Sequence, residues 1–293
     1  MNSGHSSVVA FLGDHVDRKL KMMRIYTAYG ELGDLHRLWN NHETMRWHTT
    51  DENNQAFNAR VTQIPAVVVI CLCEAMAASV CLMANGQLPS DQGVWSAPGA
   101  GQGTRPSPPW PHNIVHRDIK PANYFLTKSN HPMKWAGLPL AALGDFGNGF
   151  DAQDLQWRTN PDECRGAGTF NCEAPEQAIQ TAGAILISSY TNVYQVGLVM
   201  FQLMTLKAPT HQVTFHQREH PFPPVDPEAY PPELVQLATE CLHPVPAARP
   251  SAKDLYMRMR SLATAVPMPP IEGYNGLPWG KLILEFDVWR ESQ

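Results

Sequence analysis

Ile114-Val115-His116-Arg117-Asp118-Ile119-Lys120-Pro121-Ala122-Asn123 is the stretch on which the reading of this chain turns. It carries a carboxylate at 118, an ammonium at 120 and a carboxamide at 123. Two shorter motifs follow in order, Asp145-Phe146-Gly147 and Ala174-Pro175-Glu176. Any one of the three could arise by chance, but an ordered set at these separations points to a shared origin. Asn123 and Asp145 bring hard oxygen donors, the kind that Mg²⁺ prefers.

The ordered set resembles the catalytic loop, metal-binding turn and activation-segment anchor of a eukaryotic-type protein kinase of the Ser/Thr class. The resemblance implies an α+β, protein-kinase-like fold with a mainly helical large lobe and a remnant of the β-rich small lobe. It implies transfer of the γ-phosphate of ATP to Ser or Thr hydroxyls of a protein substrate, with Mg²⁺ as the metal. Such a transfer leaves little covalent work to the protein, so catalysis is mostly positioning and charge neutralisation. On the family pattern Asp118 accepts or orients the proton of the attacking hydroxyl. Lys120 sets a positive charge beside it and marks a Ser/Thr enzyme, and Asn123 and Asp145 hold metal and, through it, nucleotide. Arg117 resembles the arginine that binds a phosphate on the activation segment. Between Gly147 and Gly168 only Thr159 offers a Ser/Thr hydroxyl for such a switch. Gly168-Thr169-Phe170 resembles the segment that shapes the peptide site, in which the Thr contacts the catalytic Asp and Lys. Glu176 is expected to pair with Arg249, inside Pro244-Val245-Pro246-Ala247-Ala248-Arg249-Pro250, as a buried structural ion pair.

Ahead of these motifs, Ser7 to Gly13 reads as a short apolar strand, Gly13 to Leu20 as a polar turn and Met22 to Tyr29 as a second strand. Tyr29-Gly30-Glu31-Leu32-Gly33-Asp34-Leu35 resembles the hinge and the start of the first large-lobe helix. That alignment implies that the backbone near Ala28 and Gly30 binds adenine, Thr27 guards the back pocket, Asp34 reaches the ribose and Phe125 floors the adenine site. The organisation expected is a small-lobe remnant and hinge at 1–30, a large lobe at 31–264 and a Pro-rich tail at 265–293. A Gly/Pro-rich insertion of low structural content interrupts the lobe at 86–111.

Nothing ahead of Ser7 resembles a Gly-rich phosphate-covering loop, a Val-Ala-x-Lys strand or the helix that supplies its Glu partner. ATP is therefore expected to have a floor and a hinge but no roof, and one lost preorganised contact costs on the order of 100- to 1000-fold in rate. Asn192 stands where the family usually has Asp, which keeps an acceptor and loses a charge. The alternative to a working enzyme is a pseudokinase or truncated kinase acting as a binding module.

Composition narrows the classes further. A hydrophobic content of 43% indicates a globular chain, and a net charge of −5 gives no footprint for nucleic acid. The six cysteines lack Cys-x-x-Cys spacing, which reads as reduced thiols in an intracellular protein of cytoplasm or nucleus. His211, His216 and His220 have no matching carboxylate cluster and read as loop histidines rather than a zinc site. No secretory signal opens the chain. Ala66 to Ala84 has the length and apolarity of a membrane span, but Glu74 sits in its middle. A buried helix beneath the catalytic loop is expected there, and no membrane partner. Further helices are expected at Asn192–Leu206, Glu233–Cys241 and, capped by Ser251, Ala252–Ala263.

Overall fold

The apolar run broken only by Glu74 forms helix α1, Ala66–Asn85, entered from Pro65 and closed by Gly86 in the left-handed region (φ 69°). In the computed structural model, which describes residues 7–40, 63–93, 112–128, 135, 138–159, 161–178, 186–211 and 220–267, this helix is the axis of the core. A helix apolar on all sides must be covered on all sides. Although α1 is long and apolar enough to cross a membrane, most of it is buried inside the protein. Its cover is α3 (Ser189–Thr205), α5 (Ala252–Ala265) and the strand β5 (Pro139–Leu143). Glu74 explains itself within this packing. Its carboxylate accepts from Arg260 Nη1 of α5 at 2.7 Å and from Trp135 Nε1 at 2.8 Å, and Arg260 Nε reaches Asp91 at 3.0 Å. A mid-helix charge is thus matched by a cation and a buried donor instead of being left in an apolar setting.

Helix α4 (Pro232–Cys241) turns Leu234, Leu237, Ala238 and Cys241 inward. Ser251 Oγ accepts the Asp254 amide at 3.1 Å and so caps α5, as the sequence leads one to expect. The strands are short and arranged in antiparallel pairs. β3 (Ile114–Val115) pairs with β6 (Phe150–Asp151), and β4 (Tyr124–Lys128) pairs with β5 so that Tyr124 faces Leu143. Helix α2 (Leu155–Thr159) is a short turn in the segment beyond β6.

The N-terminal strands differ from expectation. The first regular strand, β1, is Phe11–Asp17, so residues expected in a turn are in the strand, and the turn is confined to 18–21 before β2 (Met22–Thr27). The reason is local: the Asp17 carboxylate accepts the amides of Lys19 and Leu20 at 2.9 and 3.0 Å, which fixes the reversal there. Residues 7–9 instead join β5, with Leu143 donating to Ser7 O and Val9 donating to Leu143 O. Residues 94–111 of the insertion, His216 and the tail from 268 lie outside the described residues.

Arg249 and Glu176 form a bidentate pair at 2.7 and 2.8 Å, both side chains fully buried. The guanidinium also donates to the carbonyls of Tyr190, His243 and Pro244 and lies 4.7 Å from the Tyr194 ring centroid. Replacing Arg249 by Met strands the carboxylate, and we expect a loss of about 3–5 kcal/mol in urea unfolding. Replacing both partners by apolar residues of similar volume should recover much of that loss, as read by the same transition midpoint.

Candidate active site

The strand β3 ends at Val115 and the chain enters a loop whose first turn is held from below. His116 N donates to Asn192 Oδ1 at 2.9 Å, and Asn192 Nδ2 donates back to Ile114 O at 2.9 Å. A carboxylate at 192 could only accept, whereas the carboxamide ties the loop on both sides of Val115. The His116 ring is fully buried, with Nε2 against Gly144 O at 2.9 Å and Nδ1 accepting the Asp118 amide at 3.3 Å. This pair of contacts requires the neutral Nε2–H tautomer. Burial pulls the His116 pKa below its usual value, despite the opposing Gly144 bond and the carboxylates of Asp118 and Asp145.

At the loop's tip three polar side chains close a triangle. Lys120 Nζ donates to Asp118 Oδ2 at 2.9 Å and to Thr169 Oγ1 at 2.6 Å, while the Thr169 hydroxyl donates to Asp118 Oδ1 at 2.7 Å. Thr169 comes from a segment some fifty positions away, so the triangle joins two parts of the chain at one carboxylate. Asp118 is only 6% exposed; its Oδ2 takes a second, longer bond from Asn123 Nδ2 at 3.4 Å, while Oδ1, with one donor, keeps lone-pair capacity for another. Pro121–Asn123 make one tight turn, in which Asn123 Nδ2 donates to Asp118 O at 2.8 Å. That bond identifies Oδ1 as the amide atom left for a cation.

Asp145 is brought beside Asn123 by a backbone bond, Gly144 N to Asn123 O at 2.9 Å. Its own backbone is left-handed (φ 58°), and its side chain is exposed. Among the described residues no cluster of three or more His, Cys, Asp or Glu side chains forms a metal cage. A carboxamide oxygen and a carboxylate are nonetheless the donor types that suit Mg²⁺, which usually takes one or two protein ligands and completes its shell with phosphate and water.

The expected adenine-site residues meet at β4. Leu32 N donates to Leu126 O, Leu126 N donates to Gly33 O, and Asp34 bridges to Phe125. Phe125 is so close to Gly30 and Gly144 that an added Cβ would stand 2.9 Å from its Cβ and 2.8 Å from its ring, respectively. Two of the polar groups there already have partners within the fold. The Ala28 amide is spent on Ala10 O at 2.8 Å and is not available as an adenine donor. One oxygen of Asp34 accepts the Arg37 amide at 2.8 Å, capping the helical turn at 35–40. Thr27 ends β2 with its side chain exposed, and the Thr159 side chain lies outside the described set. His220 packs edge-on against Phe201 at 4.4 Å. The described cysteines are free thiols, and burial raises the Cys172 pKa to about 11, with Asp118 adding to the effect. Two residues without any motif, Gln177 and Gln195, also reach this site, because their buried carboxamides donate to Arg117 O.

Known proteins share this arrangement in sequence. A family model described as the protein kinase domain matches residues 110–258, half of the chain. The chain belongs to the protein kinase family. Mitogen-activated protein kinase kinase kinase 4 of Homo sapiens is 32% identical over 156 residues, covering 49% of this chain and 9% of that protein. Serine/threonine-protein kinase PknB of Mycolicibacterium smegmatis is 30% identical over 120 residues, 39% of this chain and 17% of that protein. A probable serine/threonine-protein kinase of Dictyostelium discoideum is 26% identical over 167 residues, 54% of this chain and 20% of that protein. The chain therefore spans a fifth or less of the length of these relatives.

A histidine kept neutral by burial makes folding pH-dependent with a definite sign. The unfolded histidine takes up a proton near pH 6.5 and the folded one only at lower pH, so stability is lost as pH falls through that range. We expect the urea midpoint to drop between pH 7 and pH 5, above the window in which Asp151 and Glu240, whose pKa values are lowered, take up protons. His220, lowered by burial, adds to the slope. His116→Gln should flatten it, read by unfolding across a pH series.

Proposed function

We propose that this chain carries the metal-holding and substrate-holding half of a serine/threonine protein kinase site. The observation that supports it best is the Asp118–Lys120–Thr169 triangle, with both bonds of the threonine hydroxyl below 2.8 Å. In this reading Asp118 orients an incoming Ser or Thr hydroxyl and takes its proton, because a buried carboxylate with spare lone pairs is suited to that task. Lys120 offsets charge at the same place, and Thr169 keeps Asp118 in one rotamer. Asn123 and Asp145 hold Mg²⁺ with ATP, the metal neutralising charge on the phosphate oxygens when bound. Phe125 and Gly30 give the adenine its floor and edge, and the backbone near Ala28 and Gly30 binds it through groups other than the Ala28 amide. The partner is a protein presenting a Ser or Thr acceptor, and an intracellular place of action, cytoplasm or nucleus, accords with the free cysteines.

Residues 1–293 include no Gly-rich loop and no Val-Ala-x-Lys strand, so turnover by these residues alone is expected to be slow and Mg-ATP binding weak. Asn192, where the family usually has Asp, is the observation behind a second reading, a pseudokinase that binds a partner and transfers nothing. The two separate in one assay. With radiolabelled Mg-ATP and a generic Ser/Thr protein, incorporation into the substrate should fall by about 10²–10⁴ in Asp118→Asn if Asp118 acts as proposed. Equal incorporation by wild type and Asp118→Asn would sink the enzymatic reading, and nucleotide binding without any incorporation would favour the pseudokinase.

A further inference from the structure

Arg117 stands directly before Asp118 in a left-handed conformation, φ 68°, an unfavourable state for a residue with a long side chain. Its carbonyl oxygen is the point on which two fully buried carboxamides converge: Gln177 Nε2 at 2.8 Å and Gln195 Nε2 at 2.9 Å. Each glutamine also binds elsewhere. Gln177 donates to Ala167 O at 3.0 Å and accepts the Ala174 amide at 2.9 Å. Gln195 donates to Cys172 O at 2.9 Å and accepts the Ile119 amide at 3.3 Å. The donor and acceptor atoms of both side chains are therefore used, and each bridges the catalytic loop to the 167–174 segment. That segment runs hard against the same carbonyl: a Cβ on Gly168 (φ 129°) would lie 2.7 Å from Arg117 O.

The charged route to the same end is differently engaged. Arg117 Nε donates to Asn148 O at 2.6 Å, and its guanidinium lies 5.1 Å from the centroid of the Phe150 ring. These partners are backbone and aromatic groups near the start of the activation segment. Between Gly147 and Gly168 the sequence offers one Ser/Thr hydroxyl, Thr159.

We infer that Gln177 and Gln195 are positioning residues that hold the catalytic loop and activation segment as one unit without a phosphate on that segment. The functional meaning of this clamp rests on the kinase reading above, but its physical content does not. The clamp fixes the peptide preceding Asp118 and, through Cys172 and Ala174, the stretch that carries Thr169. Order at the site is then built into buried, neutral hydrogen bonds rather than conferred by a modification.

Deuterium uptake of the full chain after phosphatase treatment tests the clamp without requiring phosphoryl transfer. Peptides spanning 114–122 and 165–178 should exchange slowly in the unphosphorylated wild type. Gln177→Met and Gln195→Met keep volume and remove the amide, and each should speed exchange of those peptides about fivefold. Peptides from 196–205 and 252–265 should be unchanged, whereas a mere packing defect would loosen α3 as well. Thr159→Ala and Thr159→Glu should leave wild-type uptake. Rapid exchange of 165–178 in the dephosphorylated wild type would overturn the clamp, as would no rise in the Met variants or an equal rise across the helices. Should the Met variants fail to fold, the dephosphorylated wild type and Thr159→Ala decide the matter alone. Intact protection with no transfer in any assay would count against the kinase reading and leave the clamp standing.

Discussion

Two opposite charges sealed from water hold this architecture in register. Glu176 and Arg249 have no solvent to turn to, so neither can move away without leaving the other stranded in the interior. Thr191 adds a hydroxyl to the same carboxylate at 2.8 Å, and Arg165 donates to the Glu176 carbonyl. The end of the activation segment, the first turn of α3 and the approach to α5 are thereby pinned at one place. The neighbouring Gln177 extends this fixed point to Arg117, one residue from the carboxylate that organises the site. Rigidity thus passes from an ion pair deep in the large lobe to the loop tip through side-chain contacts, with no long lever between them.

The residues proposed to bear chemistry stood out in the sequence because such chemistry demands particular types, and the structure brings Asp118, Lys120 and Thr169 into contact. A carboxylate, an ammonium, a carboxamide and a hydroxyl cannot be exchanged freely, and the motifs around Asp118, Asp145 and Thr169 identify them from residue identity. Arg249 was legible through the resemblance, which calls for a cation there to pair with Glu176. Helices α4 and α5 were legible from apolar spacing and α1 from its nearly unbroken apolar run. What escaped sequence reading has in each case a physical reason. The bounds of β1 left no periodic signal, because Gly13-Asp14-His15-Val16-Asp17 lies on a ribbon exposed on both sides and no core imposes alternation there. The partners of the Ala28 amide and of one Asp34 oxygen, supplied by strand pairing and helix capping, become visible only in the fold. Gln177 and Gln195 belong to no pattern, since a carboxamide becomes meaningful only once the carbonyl it meets is located. Asn192 was read as a weakened acceptor, and its second role as a donor depended on the nearness of Ile114 O.

The placement of the nucleotide-facing elements has its own logic. Residues 7–9 join β5, and residues 32–34 join β4, so the strands leading to Asn123 and Asp145 are paired on both outer edges. An edge strand left open would be free to twist and carry Asp145 with it. Residues 7–9 and 32–34 therefore act as a splint on the strands next to Asn123 and Asp145.

The β1–β2 ribbon has a consequence for how the molecule behaves among its own copies. Leu12, Val16, Leu20, Met23 and Ile25 are each more than half exposed, on a ribbon to which no third strand pairs among the described residues. A modest net charge of −5 offers weak repulsion against edge-to-edge association. Exposed apolar side chains on such a ribbon make this hairpin, and not the well-packed helical core, the surface best suited to contact between copies.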